Sequence, residues 1–208
     1  MDYPHPPDAD PLSAITRPFR GAIFDCDGTL ADTMELHYRA WVETLAPAGV
    51  SFSDQLFYDL GGVPTAQIVR ILNQRFGHAL DVDATAAAKE ARYEALLPLA
   101  PPVARVVALV REYRGRCRVA VASGGIRRLV EKTIAGLGLD GCFDAVCTAE
   151  DVEHGKPSPD LFLLAARRLG IPPEECVVFE DSDLGLEAAR RAGMQGVDIR
   201  PWLPRSGA

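Results

Sequence analysis

Gly21-Ala22-Ile23-Phe24-Asp25-Cys26-Asp27-Gly28-Thr29-Leu30 is the stretch on which the fold turns. A short apolar run opens it, two carboxylates stand two residues apart after that run, and a glycine follows them. The run is too short for a helix and carries no polar residue until Asp25, as expected of a strand buried on both faces. Four more runs of this kind follow: 117–122 (CRVAVA), 144–149 (DAVCTA), 176–180 (CVVFE) and 195–199 (QGVDI), the first being 20–25. Helical patterns over 103–114, 126–137, 159–169 and 184–192 lie between the later runs, several closed by a glycine such as Gly138, Gly170 or Gly193. Strand and helix alternating in this rhythm predict an α/β fold, a parallel sheet covered on both faces.

One interval breaks the rhythm. From about residue 32 to residue 100 the helical patterns 34–46, 64–76 and 84–97 follow one another without a strand. The expected organisation is therefore a core of 20–31 and 101–208 with a helical insertion over 32–100, joined by short connections placed to act as hinges. Residues 1–19 hold five of the sixteen prolines and little apolar periodicity, so they are expected to form a flexible tail outside the fold.

The 208 residues leave room for one ordinary domain with a modest insertion, and 48% apolar with 25% charged residues is the balance of a soluble globular chain. No run approaches the roughly 18 apolar residues of a membrane span, and no signal-type stretch opens the sequence. A cytoplasmic protein without a membrane partner is the expectation. Net charge is -7 and the arginines are scattered, which argues against nucleic acid. The five cysteines are odd in number and form no CxxC pair, as expected of reduced core thiols. Composition leaves the oligomeric state open, with a monomer favoured.

Parallel sheets of this kind place ligands beyond the carboxyl ends of their strands, where Asp25 and Asp27 should stand. There Asp25 has the chemistry of a nucleophile, and Asp27 that of a group that protonates a leaving oxygen and later deprotonates water. An Asx turn with solvated side chains is the plainer reading of Asp-x-Asp-Gly. Ser123, with Gly124 and Gly125, follows the second run and leads into a helix, so its hydroxyl and the nearby N–H groups suit a phosphate; a helix cap is the alternative. Lys156 stands in a Gly-Lys-Pro-Ser-Pro-Asp loop, either solvated or neutralising Asp25 and a phosphoryl group. Glu180 and Asp181 end the fourth run and offer oxygen ligands to a hard divalent cation, or cap the next helix. Together, in that order on successive strand ends, these residues form a phosphoryl-transfer set.

The four elements resemble the four motifs of the haloacid dehalogenase superfamily and span residues 20–199. The resemblance implies a Rossmann-like sheet in the order 3-2-1-4-5. It also implies Mg2+ held by Asp25, the main-chain carbonyl of Asp27 and Asp181, with Glu180 assisting. The insertion then resembles the small helical cap of the β-phosphoglucomutase-like branch. True dehalogenases of the superfamily lack the second aspartate, so Asp27 points to phosphoryl transfer. Asp32-Thr33 followed by His37-Tyr38-Arg39-Ala40-Trp41 resembles a cap helix of that branch, which makes His37 a candidate for substrate binding, with a polar position on an amphipathic helix as the plainer reading. Lys89 falls on the last cap helix, where mutases place a substrate-contacting lysine; a solvated helix residue beside Glu90 and Arg92 is its alternative. Mutases carry a phosphate-gripping arginine near Leu60–Thr65, whereas the nearest here is Arg70. Gly-x-Pro-Thr at 62–65, Phe-Glu-Asp-Ser-Asp at 179–183 and Val-Asp-Ile-Arg at 197–200 resemble bacterial fructose-1-phosphate and 6-phosphogluconate phosphatases. The resemblance thus implies a Mg-dependent phosphatase acting on a small sugar or sugar-acid phosphate through an aspartyl-phosphate intermediate. A sugar-phosphate mutase and a catalytically inactive phosphosugar-binding module are the alternatives.

Overall fold

A computed structural model describes residues 10–61 and 63–203. Five strands, β1 (Gly21–Phe24), β2 (Arg118–Ala122), β3 (Ala145–Cys147), β4 (Cys176–Glu180) and β5 (Gln195–Asp198), form one parallel sheet in the order β3-β2-β1-β4-β5. The α/β architecture and the strand order are those expected. β1 lies at the centre, Ile23 pairing with Ala120 on one side and Val178 on the other. That double pairing is why the first run is apolar throughout: all four β1 residues are buried.

Strand periodicity distributes the side chains between two cores. Ala22, Phe24, Val119, Val121, Val177 and Phe179 point to one face, where they meet Val106 and Val110 of α5 (Ala104–Tyr113) and Val130 and Ile134 of α6 (Arg127–Gly136). Phe24 and Phe179 stack there with centroids 4.6 Å apart. Ile23, Ala120, Ala122 and Val178 point to the other face, against Leu161 and Ala165 of α7 (Asp160–Leu169) and Ala188 and Ala189 of α8 (Asp183–Arg191).

The chain divides into two compact units, one of residues 1–32 and 102–208 and one of residues 33–101. The second is helical: α1 (Met34–Leu45), α2 (Asp54–Asp59), α3 (Thr65–Phe76) and α4 (Val82–Leu96). Trp41, Leu45, Phe52, Phe57, Val69 and Leu72 are the centre of its own core. Helix α2 escapes a periodicity reading because six residues make fewer than two turns. The Ser53 hydroxyl accepts from Leu56 N and caps its start.

The reading of residues 1–19 as a loose tail fails over its described part, 10–19; residues 1–9 lie outside the described residues. Pro11–Ala14 form a 3-10 turn, and Leu12, Ile15 and Phe19 pack on the core. Gln195 Oε1 accepts from Thr16 N and Arg17 N at 2.9 and 2.8 Å, and its Nε2 donates to Arg17 O at 3.0 Å. Three apolar anchors and a nearly buried amide hold the segment, although its prolines preclude regular periodicity.

Candidate active site

The carboxyl end of β1 leads directly into the site. Asp25 N donates to Phe179 O at 3.0 Å, which prolongs the ladder by one residue. The chain then turns: Leu30 N donates to Cys26 O, and Gly28 N to Ala31 O. Gly28 holds φ +83°, and a Cβ there would collide with the Asp181 carboxylate. Glycine at this position is therefore required twice, by backbone conformation and by space.

Lys156 joins two strand ends. Its Nζ donates to Asp25 Oδ1 at 2.6 Å and to Glu180 Oε2 at 2.7 Å, with the lysine side chain 5% exposed. Glu180 is held from its other oxygen, Oε1, which accepts from Ser182 N at 3.1 Å and Ser182 Oγ at 2.6 Å. Gly185, in the first turn of α8, leaves room for that carboxylate, since a Cβ there would overlap it. Asp181 Oδ1 accepts from Thr29 Oγ1 at 2.8 Å.

Asp25, Glu180 and Asp181 each bring one oxygen within 4.8 Å of the others. Burial, reinforced by the Glu180 charge, pushes the Asp25 carboxyl up to about 7 against the pull of Lys156. Burial, then the charges of Glu180 and Asp25, hold Asp181 well above the ordinary range. Burial works against charge on Lys156, yet Asp25 and Glu180 outweigh it and raise the ammonium above its usual value. Two carboxylates thus share one ammonium in a desolvated place with the third beside them, a donor set of oxygen ligands that suits a hard divalent cation.

Ser123 follows β2, is 1% exposed, and accepts at Oγ from Gly125 N at 3.0 Å. A Cβ on Gly125 would lie 3.2 Å from Ser123 Oγ and 3.3 Å from Asp27 Oδ2, so hydroxyl and second aspartate meet at this glycine. The neighbouring Gly124 is exposed. Because Oγ accepts that bond, its own proton is available to a ligand. It does not cap α6, whose N-cap is Ile126.

His37 and Lys89 come together within the helical unit. Lys89 Nζ stands 2.8 Å from His37 Nδ1 and 3.2 Å from Glu90 Oε1, and lies 5.1 Å from the Tyr93 ring centroid. His37 stacks on Tyr93 at 3.7 Å, and the Thr65 hydroxyl bonds Glu90. Lys89 is 2% exposed, so the solvated-lysine alternative does not hold. Sequence reasoning missed Glu90, Thr65 and Ser182. A capping pattern at Ser182-Asp183 was available as a signal; for Glu90 and Thr65, 25 residues apart, there was none.

A family model described as haloacid dehalogenase-like hydrolase matches residues 19–193. The chain belongs to the haloacid dehalogenase-like hydrolases. Among these hydrolases it is 42% identical over 187 residues to the fructose-1-phosphate phosphatase YqaB of Escherichia coli, covering 88% of this chain and 97% of that one. It is 31% identical to a phosphorylated carbohydrates phosphatase of Thermotoga maritima, over 84% of this chain and 82% of the relative. In structure it is similar to CbbY of Rhodobacter sphaeroides, solved in complex with xylulose-(1,5)bisphosphate. That match has a TM-score of 0.75 and 32% identity, covering 86% of this chain and 84% of that one.

Proposed function

We propose that this hydrolase is a phosphatase that releases phosphate from a small sugar or sugar-acid phosphate, with fructose 1-phosphate as the first substrate to try. The observation that carries the reading is the ion pair of Lys156 with Asp25 and Glu180, together with Ser123 and Asp27 both lying close to Gly125. Asp25 Oδ attacks the phosphorus in line, and the bond from phosphorus to the sugar oxygen breaks as Asp27 delivers a proton to that oxygen. Asp27, now a carboxylate, takes a proton from water. That water attacks the phosphorus, releasing phosphate and restoring Asp25. Ser123 and Lys156 supply a hydroxyl donor and an ammonium for the phosphoryl oxygens, and the exposed Gly124 gives them backbone access.

Asp25, Asp181 and the Asp27 carbonyl would hold Mg2+, and the bound ion would add positive charge where the phosphoryl oxygens bind. Glu180, committed to Lys156 and Ser182, is assigned to orienting Lys156 rather than to direct ligation. Substrate binding is assigned to His37 and Lys89 on the family resemblance and on their shared cationic network. The mutase alternative is disfavoured by α3: Thr65 at its start is engaged by Glu90, and Arg70 is exposed. Similarity to two phosphatases supports hydrolysis and an intact set of polar side chains disfavours an inactive binding module.

The test is incubation of the protein and Mg2+ with fructose 1-phosphate, 6-phosphogluconate, β-glucose 1-phosphate and a ketose bisphosphate. Free phosphate should appear and EDTA should stop it. Asp25→Asn, which is isosteric, should lower turnover by on the order of 10⁴-fold without unfolding the chain. Glucose 6-phosphate formed without free phosphate would establish the mutase instead.

A further inference from the structure

A cleft of about 660 Å³ opens at the end of the sheet opposite the aspartates. It runs across the amino ends of the strands: Arg20 precedes β1, residues 114–118 lead into β2, 141–144 lead into β3, and Ile171 precedes β4. From Arg118 to Ser123 β2 spans roughly 16 Å at about 3.3 Å per residue, so the cleft and the candidate active site are separate.

Its charge is unlike that of the chain. Arg20, Arg114, Arg116 and Arg118 line it against a single carboxylate, Asp144, leaving three positive charges within a protein of net charge -7. Including Glu175 and Glu112 at the rim, which pair with Arg20 and Arg116, one positive charge remains in excess. Each of these pairs, like that of Arg118 with Asp144, engages one guanidinium nitrogen, and the three arginine side chains are 62–70% exposed. Such exposed pairs contribute about 0–1 kcal/mol, so an anion exchanges for them at little cost. Arg114 has no carboxylate at all among the described residues; its guanidinium contact is Cys142 Sγ at 3.8 Å.

We propose that this cleft is a second anion site and takes a small phosphorylated molecule of two or more negative charges. Its volume falls in the range of small-molecule sites, roughly 300–1,000 Å³. Guanidinium groups match phosphate oxygens in pairs, and four of them surround one space. Phe19, Phe143 and Ile171 supply an apolar wall for the organic part of the ligand. An extended polyanion such as nucleic acid does not fit the observations, because outside the cleft the chain is strongly net negative and repels it. The site is independent of the chemistry assigned to Asp25 and stands whether or not that assignment does.

Methylenediphosphonate, which cannot be hydrolysed, is the probe, titrated into ¹⁵N-labelled full-length protein at physiological salt and followed by amide shifts. Gly115, Arg116 and Gly141 should shift saturably. The Arg114→Gln/Arg116→Gln double variant should weaken that response by about tenfold or more while shifts at Ser123 to Gly125 persist. The spectrum of the variant reports directly that it is folded. Unsaturable shifts matched by sodium chloride would mean an adventitious ion only and overturn the proposal. So would an unchanged response in the variant.

Discussion

At the residue scale the site is governed by how few cations serve its carboxylates. Replacing Lys156 by methionine would leave Asp25 and Glu180 buried without an ammonium. The expected loss is about 3 kcal/mol near pH 7, measured by urea unfolding in chelator. The sign of its pH dependence follows from Asp25, already held at about 7 against an ordinary 3.8. Losing the ammonium, which pulls that value down, raises it further, so the variant keeps Asp25 protonated to a higher pH and its penalty relative to the native protein grows as pH rises through about 7. A penalty no smaller at about pH 6 than at about pH 8 would sink this account. Gly28→Ala should cost at least about 2 kcal/mol, from the left-handed backbone and the clash with Asp181 together. These demands are only half legible in the sequence. Asp-x-Asp-Gly announces a turn with two carboxylates, whereas the need for an empty Cβ volume comes from Asp181, far along the chain.

At the element scale two contacts tie segments that periodicity treats as separate. Gln195 on edge strand β5 holds the backbone of Thr16 and Arg17. Gln195→Ala should cost about 1–3 kcal/mol and speed hydrogen exchange at those two amides, the observation that distinguishes a lost anchor from general loosening. Asp151 is the second tie: Oδ2 accepts from Thr148 N after β3 and from Arg127 of α6 at 2.6 Å, while Oδ1 accepts from Arg168 of α7 at 2.9 Å. The Arg168 hydrogen bond, ahead of the other partners, holds its carboxyl at about 2. A depressed value means stability that is present above the ordinary 3.8 and lost as pH falls through about 2. Asp151→Asn should therefore cost about 1 kcal/mol at neutral pH, both arginines being 37% exposed, and should flatten the acid limb of the stability profile between about pH 4 and pH 2. The helices and strands these residues connect were legible from their periods; the ties were not, because Asp and Gln fit many surface positions equally well.

Across the whole molecule, the five cysteines are free and four of them are buried, with Cys117 half-buried. Burial pushes Cys176 up to about 12 and Cys26 well above the usual thiol value, and raises Cys117 and Cys147 as well. Thiolate is the reactive form, so the native protein should react with a disulfide reagent at about pH 8 far more slowly than the denatured one, which should yield all five thiols. A fast stoichiometric reaction of the native protein would contradict this packing. The amino acid pattern by itself determined the five strands, most of the helices, the interruption between residues 32 and 100, the strand ends at which Asp25, Ser123 and Glu180 stand, and the loop that carries Lys156. Period and composition are local properties, so a window of a dozen residues contains them. Only the tertiary structure decided that Lys156 bridges Asp25 and Glu180, that Asp181 closes on Gly28, that Lys89 is buried against His37, and that residues 10–19 are anchored. Those outcomes depend on pairs 24 to 179 residues apart, whose meeting is set by sheet order and core packing and is encoded in no single stretch of chain.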